Sequence, residues 1–461
     1  MVVKLTNLAP QNPWWRKEDW ETDDRDLKGI DLLLARREMA LKKGGITILR
    51  GIRRSGKTVY LKMMVKKLVE SGIARQNIVY ISCDRYSFKE IENIVNEMSI
   101  RRGKIILLLD EITYLPDWYL LLKGLRETKD IGIIATGSDP MQIKAKAERL
   151  PGRGIEGNEY YFNPLSFGEF VRALLKIGEK IKLDPIKDAL KDIRDIPDIK
   201  FSPFKPTVDE IFQFYEPLER LFFSYMLTGG FPHTILEYVK TGEVSDESYE
   251  TLIRLILGTL SKGGRSENTG KEVFQQLLQG MGGRTDYLTI AQNIGVHHTT
   301  VKDHIDILDG ARVVYTLQCW DIAKRRHSPR KQKKFVLQSP IIATALHRYL
   351  TGGTWDDVID FVDRNMESLV EATVISHIIW AEERPLMKEQ HSFAGFYYNR
   401  NECDCVLQRE GGFQGYEIKF GKVERANYPF PVIYITKDTM DTDMVPASVF
   451  LFGLEKSRWG I

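Results

Sequence analysis

Apolar positions in the first third of the chain fall into short continuous runs separated by stretches with helical spacing. Residues 45–50 read Gly-Ile-Thr-Ile-Leu-Arg, a glycine-bearing polar segment follows, and Val59-Tyr-Leu-Lys-Met-Met64 continues in helical rhythm. That order predicts a strand, a loop and a helix. Further apolar runs at 78–82, 105–109 and 131–135 predict strands buried on both faces, as in a parallel sheet. Strands alternating with helices imply an α/β fold, a doubly wound parallel sheet with its ligand at the carboxyl ends of the strands.

The pattern changes at Asn163-Pro164, where the chain is predicted to leave the sheet. From Phe167 to about Leu260 the spacing is mostly helical, and residues 184–207, rich in Asp, Lys, Ile and Pro, read as a polar insertion. Residues 288–308 have helix-turn-helix grammar: Ile290, Ala291 and Ile294 give one buried face and Gly295 permits the turn. Thr300 with Asp303 can cap the second helix, which Val301, Ile305 and Leu308 bury. His297, His298, Lys302 and His304 are left to face outward or frame its entrance. A strand at 312–317, the run Lys324-Arg-Arg-His-Ser-Pro-Arg-Lys-Gln-Lys-Lys334 and a return strand at 335–337 predict a hairpin with a cationic tip. Beyond it, a helical stretch at 369–377 and strands at 395–398, 403–407 and 415–420 predict a second α/β arrangement.

A chain of 461 residues is too long for one core, and roughly 150 residues per domain suggests about three domains. With 43% hydrophobic and 28% charged residues it reads as a soluble globular protein. No apolar run is long enough to span a bilayer and the first residues do not read as a signal peptide, so the cytoplasm is the expected compartment. Four cysteines, Cys83, Cys319, Cys403 and Cys405, suit neither a disulfide framework nor a zinc site and read as reduced packing residues. A net charge of +3 does not announce a nucleic-acid binder, which leaves that argument to local clustering.

Candidate chemistry concentrates at Gly51-Ile-Arg-Arg-Ser-Gly-Lys-Thr58, a phosphate-binding loop for ATP. Its glycines let backbone N–H groups turn inward at the positive end of the following helix. Gly51, Arg54, Ser55, Gly56, Lys57, Thr58 and Val59 are the expected nucleotide contacts, with Lys57 on the β- and γ-phosphates and Thr58 on Mg²⁺. The run at 105–109 ends in Asp110-Glu111. Asp110 is expected to hold Mg²⁺ through water and Glu111 to polarise the attacking water. At the tip of the next run, Thr136 or Ser138 reads either as a γ-phosphate sensor or as part of a turn at Gly137. Arg153, in Leu150-Pro-Gly-Arg-Gly154, is either a cation that spreads transition-state charge or a surface ion-pair residue. Acting across a subunit interface it would require a homo-oligomer.

Together these residues resemble the AAA+ P-loop ATPase family common in archaea, whose members join an ATPase module to a winged helix and a restriction-endonuclease-like domain. The marks, in order, are Asn12-Pro-Trp-Trp15, the loop at 51–58, Leu109-Asp-Glu111, Ala135-Thr-Gly-Ser138, Pro164-Leu-Ser-Phe-Gly-Glu-Phe170 and Gly229-Gly-Phe-Pro232. The resemblance covers nearly the whole chain. It implies an ATPase domain over 1–165, a helical lid over 166–275, a winged helix-turn-helix over 276–340 and a restriction-endonuclease-like α/β domain over 341–461. Without it, Trp14 and Trp15 read as apolar cover for the ATPase core, and 229–232 as a helix stop and turn.

In the last domain Asp404 lies in one strand, and Glu417-Ile-Lys419 puts a carboxylate and an ammonium on one face of the next. With Glu371 from the preceding helix, these residues match the metal-dependent phosphodiester-cleaving set that the resemblance implies. Acid-x-Lys triplets also occur at 26–28 and 127–129, so the alternative is a solvated ion pair on a relic fold. Expected DNA contacts are His298, Lys302, Lys324, Arg325, Arg326, Arg330, Lys331, Lys333 and Lys334. The alternative is a winged helix for protein contacts with a solvated charge run. No exposed Arg/Asn pair suits bidentate base readout, which favours shape or junction recognition. The leading reading is a Mg²⁺-dependent ATPase that acts on duplex or branched DNA, with metal-dependent cleavage left open. Its rival is a nucleotide-gated switch for protein partners that carries an inactive nuclease-like domain.

Overall fold

Five parallel strands organise the first part of the computed structural model: β1 (Ile46–Arg50), β2 (Ile78–Ser82), β3 (Ile106–Asp110), β4 (Gly132–Gly137) and β5 (Glu159–Tyr161), in the order β2-β3-β4-β1-β5. The structure describes residues 8–24, 26–27, 45–128, 131–138, 159–178, 181–383, 392–421 and 423–454. They divide into two units, Met1–Asn163 and Pro164–Ile461.

In the first unit Ile46, Ile48, Val79, Ile81, Leu107, Leu109, Ile133 and Ala135 are buried in the sheet. Helices α1 (Lys57–Glu70), α2 (Phe88–Arg102) and α3 (Trp118–Thr128) connect the strands. A Ser87/Glu90 capping box starts α2, and Gly103 at φ 72° ends it. Strand β2 lies at the sheet edge, where unpaired backbone groups would otherwise face outward. The Asn12 amide meets that need: its Nδ2 donates to Tyr80 O (2.9 Å) and its Oδ1 accepts Tyr80 N–H (2.7 Å). Both Trp14 and Trp15 donate Nε1–H to Ile78 O, at 3.1 and 2.9 Å. Strand β5, too short to read from the sequence, pairs with β1 on the opposite edge.

The second unit opens with helices α4 (Phe167–Ile177), α5 (Asp184–Asp192), α6 (Asp209–Phe212), α7 (Tyr215–Thr228), α8 (Pro232–Thr241) and α9 (Asp246–Lys262). Three more follow, α10 (Glu267–Gln279), α11 (Tyr287–Ile294) and α12 (His298–Gly310). They lead into antiparallel strands β6 (Val314–Gln318) and β9 (Lys333–Leu337), between which β7 (Trp320–Asp321) pairs with β8 (Arg326–His327). Helices α13 (Pro340–Thr351), α14 (Trp355–Arg364) and α15 (Met366–Glu382) precede the last sheet. Its strands β10 (Ala394–Tyr398), β11 (Glu402–Arg409) and β12 (Gly412–Lys419) are antiparallel, whereas β13 (Val432–Thr436) and β14 (Met444–Pro446) continue it in parallel from β12. Helix α16 (Ala447–Gly453) closes the fold. Among the described residues no helix is long and apolar enough to cross a membrane.

Several expectations are corrected here. Residues 184–207 are more than a polar insertion. Helix α5 buries Ile186, Ala189 and Leu190, and Phe201 donates its N–H to Gly453 O at 2.9 Å beside α16. Helix α12 is capped by His297, not by Thr300 and Asp303; Asp303 instead pairs with Arg265 at 2.8 Å. His304 faces inward, 2% exposed, with its ring nitrogens against Thr300 O (2.7 Å) and Ser266 O (3.2 Å). The motifs at 164–170 and 229–232 form one packing knot. Leu165 N–H donates to Gly230 O at 2.8 Å, and a Cβ on Gly230, at φ 77°, would lie 2.2 Å from Leu165 O. Beside it, buried His377 accepts the Phe167 N–H on Nε2 at 3.0 Å.

Candidate functional site

The loop that follows β1 holds its shape from within. Gly51 passes so close to Phe162 that a Cβ would lie 2.2 Å from its carbonyl oxygen. Arg54 and Gly56 take positive φ values of 64° and 97°, and α1 begins at the next residue. Lys57 is buried, its ammonium donating to Gly51 O and Ile52 O at 2.9 Å each, and Ser55 Oγ also donates to Ile52 O at 2.9 Å. The loop therefore curls around its own lysine at the positive end of a helix, an arrangement suited to phosphate.

Thr58, on the first turn of α1, donates Oγ1–H to Asp110 Oδ2 at 2.7 Å across the sheet tip. Asp110 is buried and also accepts from Tyr80 OH (2.8 Å) and Thr136 Oγ1 (2.5 Å). Burial, and then the Asp110 charge, push the Tyr80 phenol far above its usual range, so it stays a donor. A hydroxyl and a carboxylate in contact are the hard oxygen donors that Mg²⁺ prefers, so the set fits that ion. Glu111 adopts a left-handed backbone, φ 53° and ψ 48°, which is costly for a residue with a side chain. Its carboxylate accepts from Ser138 N (3.1 Å) and Ser138 Oγ (2.7 Å), and Ser138 Oγ in turn accepts from Arg53 Nε at 3.1 Å.

The structure thus brings Lys57, Thr58, Asp110, Glu111 and Ser138 to one sheet end. It separates the two hydroxyl candidates: Thr136 serves Asp110, and Ser138 serves Glu111. Arg153 lies outside the described residues. Nothing in the sequence pattern marks Tyr80 or Arg53. The first depends on β2 lying beside β3, which only strand order reveals.

Residues 43–171 match the family described as AAA domain. This match supports nucleotide binding and ATPase chemistry in the AAA segment. Residues 219–349 match a domain of unknown function (DUF8612). The chain is 23% identical over 303 residues to an uncharacterized protein of Haemophilus influenzae, covering 64% of this chain and 67% of that one. It is 24% identical over 328 residues to an uncharacterized protein of Methanocaldococcus jannaschii, covering 68% and 65%. The chain therefore spans about two thirds of the length of these relatives. Solved structures with some likeness include the Thermotoga maritima RuvB Holliday junction branch migration motor, at TM-score 0.27 and 14% identity over 63% of this chain and 84% of that one. The Bacillus subtilis DNA clamp loader delta protein has TM-score 0.24 and 9% identity over 75% and 99%.

The basic hairpin divides in two. Lys324, Arg325, Arg326, Arg330 and Lys331 are exposed around β8, and His298 and Lys302 are exposed on α12, where Lys302 pairs with Asp306 at 2.7 Å. Lys333 and Lys334, expected among the DNA contacts of the cationic tip, are instead buried, because β9 begins at Lys333. Lys333 donates to Pro329 O at 3.0 Å and lies over the Tyr287 ring.

Lys334 reaches the C-terminal carboxylates. Its ammonium is 2.6 Å from Asp404, 2.8 Å from Glu371 and 2.9 Å from Glu402. Burial lowers its proton affinity, but the charges of Asp404, Glu371 and Glu402 outweigh that and hold its pKa well above the usual lysine value. Asp404 also accepts Ile418 N–H at 2.9 Å. Glu417 pairs with Lys419 at 2.6 Å, while Glu402 takes Arg284 at 2.8 Å. Burial and then the Asp404 charge raise both Glu371 and Glu417 to about 7. Glu371, Asp404, Glu417 and Lys419 are therefore neighbours, joined by Lys334, which was expected at the DNA face, and by Glu402 and Arg284, neither of them an expected site residue. Among the described residues no group of three or more His, Cys, Asp or Glu is arranged to hold a metal ion. A metal at this cluster does not fit beside the ammonium. All four cysteines are free and buried.

Proposed function

We propose that this chain is a Mg²⁺-dependent ATPase whose nucleotide cycle acts on duplex or branched DNA. The observation that carries the reading is the 2.7 Å contact from Thr58 to Asp110, with Glu111 at the same strand tip. Lys57 supplies positive charge to the β- and γ-phosphates, Thr58 and Asp110 hold the metal, and Glu111 orients water while Ser138 fixes its carboxylate. Mg²⁺, when bound, neutralises charge on the phosphate oxygens. In this reading α10, α11 and α12 with the β6/β9 hairpin form a winged helix. Five exposed cations at the hairpin support contact with phosphates without base readout. The helix α15 and the mixed sheet support a nuclease-like fold, but the Lys334 ammonium keeps cleavage out of the proposal. A homo-oligomer enters through Arg153 acting across an interface.

The test is the steady-state ATPase rate without DNA and with single-stranded, duplex and branched DNA. Stimulation by duplex or branched DNA is expected. A rate indifferent to all three would remove DNA from the reading, and absent Mg²⁺-dependent nucleotide binding would overturn it entirely.

A further inference from the structure

The carboxylate cluster of the second unit already contains a cation. Strand β9 alternates, so Lys334 shares a face with buried Val336, and its side chain runs inward rather than to the hairpin tip. The ammonium donates to Glu371 of α15 at 2.8 Å and Asp404 of β11 at 2.6 Å, and it forms an ion pair with Glu402 of β11 at 2.9 Å. Lys334 is 2% exposed, so its charge is satisfied by protein alone. A divalent ion bound to Glu371 and Asp404 would have to sit at the same point, and two cations that close repel strongly in a buried setting.

The flanking contacts make the same join. Arg284, just before α11, pairs with Glu402 at 2.8 Å. Trp320 Nε1 donates to Val406 O at 3.0 Å, Lys331 to Tyr398 O at 3.3 Å, and Cys319 bridges Phe396. A Cβ on Gly395 would lie 2.5 Å from Gln318 O, so the hairpin and β10 touch backbone to backbone.

We propose that Lys334 is the resident cation of this cluster, standing where a divalent metal would sit, and that it binds the helix-hairpin segment and the C-terminal sheet into one body instead of a metal centre. The assignment concerns only the second unit, and the ATPase reading at Asp110 stands or falls separately.

The experiment is Mn²⁺ uptake by the full chain without nucleotide, followed by loss of the free-ion electron paramagnetic resonance signal. Wild type and Asp404→Asn should take up equal amounts. Lys334→Met should take up one more ion per chain than Lys334→Met/Asp404→Asn, and its β9 and β11 amides should lose hydrogen-exchange protection together. Greater uptake by wild type than by Asp404→Asn overturns the proposal. So does a folded Lys334→Met that gains no ion over its double variant, or that keeps full protection of both strands. Should Lys334→Met or Asp404→Asn fail to fold, wild type against Glu417→Gln decides: equal uptake supports a resident lysine, and greater wild-type uptake overturns it.

Discussion

Two sheet ends in this molecule gather carboxylates, and their neighbours give them opposite chemistry. Asp110 and Glu111 accept directly from the hydroxyls of Thr58, Tyr80, Thr136 and Ser138, all neutral donors, and Arg53 reaches Glu111 only through Ser138 Oγ. Their negative charge stays uncompensated by those partners, which suits a cation that comes and goes with a nucleotide. Glu371, Glu402 and Asp404 instead share a lysine supplied by the fold. The same residue type thus makes a candidate reaction centre in one place and an internal weld in the other. What separates them is the charge of the groups packed alongside, more than the number of acids.

The comparison breaks first at the AAA segment. Lys57→Ala should lower the ATPase rate by roughly 10²–10³-fold, the scale of losing one preorganised transition-state group, while the melting of the second unit stays unchanged. An ordinary rate in that variant would remove Lys57 from the phosphates. At the other end, Lys334→Met leaves buried acids without their cation and should cost about 3–5 kcal/mol in urea unfolding of the second unit. A loss below about 1 kcal/mol would mean that the weld contributes little.

A third expectation concerns acid. Burial lowers the His377 pKa to about 4, whereas the unfolded ring titrates near its usual ~6.5. The unfolded chain therefore binds the extra proton between those values. Stability contributed by neutral His377 is complete above pH ~6.5 and is lost, on the order of 3 kcal/mol, as pH falls toward 4. Protonated Nε2 can no longer accept the Phe167 N–H. Unfolding midpoints measured from pH 7 to 4 should show the decline, and His377→Gln, weaker at pH 7, should flatten it.

Smaller effects sharpen the contrast. Ser138→Ala frees the Glu111 carboxylate and should lower kcat roughly 10-fold with little change in KM, a positioning loss rather than a binding loss. Reversing Arg325 and Arg326 to Glu should weaken DNA binding and reduce its log–log salt slope by about 2. Reversal at Lys334 should act on folding instead, and equal salt effects at all three would return Lys334 to the DNA face.

The first unit is legible in the sequence because its signals are local. The loop at 51–58 and the apolar run ending in Asp110-Glu111 each carry their geometry in adjacent residues, and both lie where the strand-loop-helix order puts them. Tyr80 could not be found, because its role depends on which strand neighbours β3. In the second unit Glu371, Asp404, Glu417 and Lys419 are legible as one set, through the family resemblance. Glu402, two residues before Asp404 on the same strand face, was available from alternation alone. Lys334 is hidden by its company: five exposed cations precede it, and the run reads as one cationic, DNA-contacting tip until the start of β9 is known. His304 was misplaced for a related reason, since its partner Ser266 lies in another element.

The border of the first sheet has a practical corollary. At β2 a folded-back stretch of chain imitates a sixth strand with side chains: one amide and two indoles answer the exposed peptide groups. Trimming the protein beyond Trp15 would strip that imitation and offer an open ladder to any passing β-segment, so shortened versions should self-associate even with every nucleotide-binding residue intact.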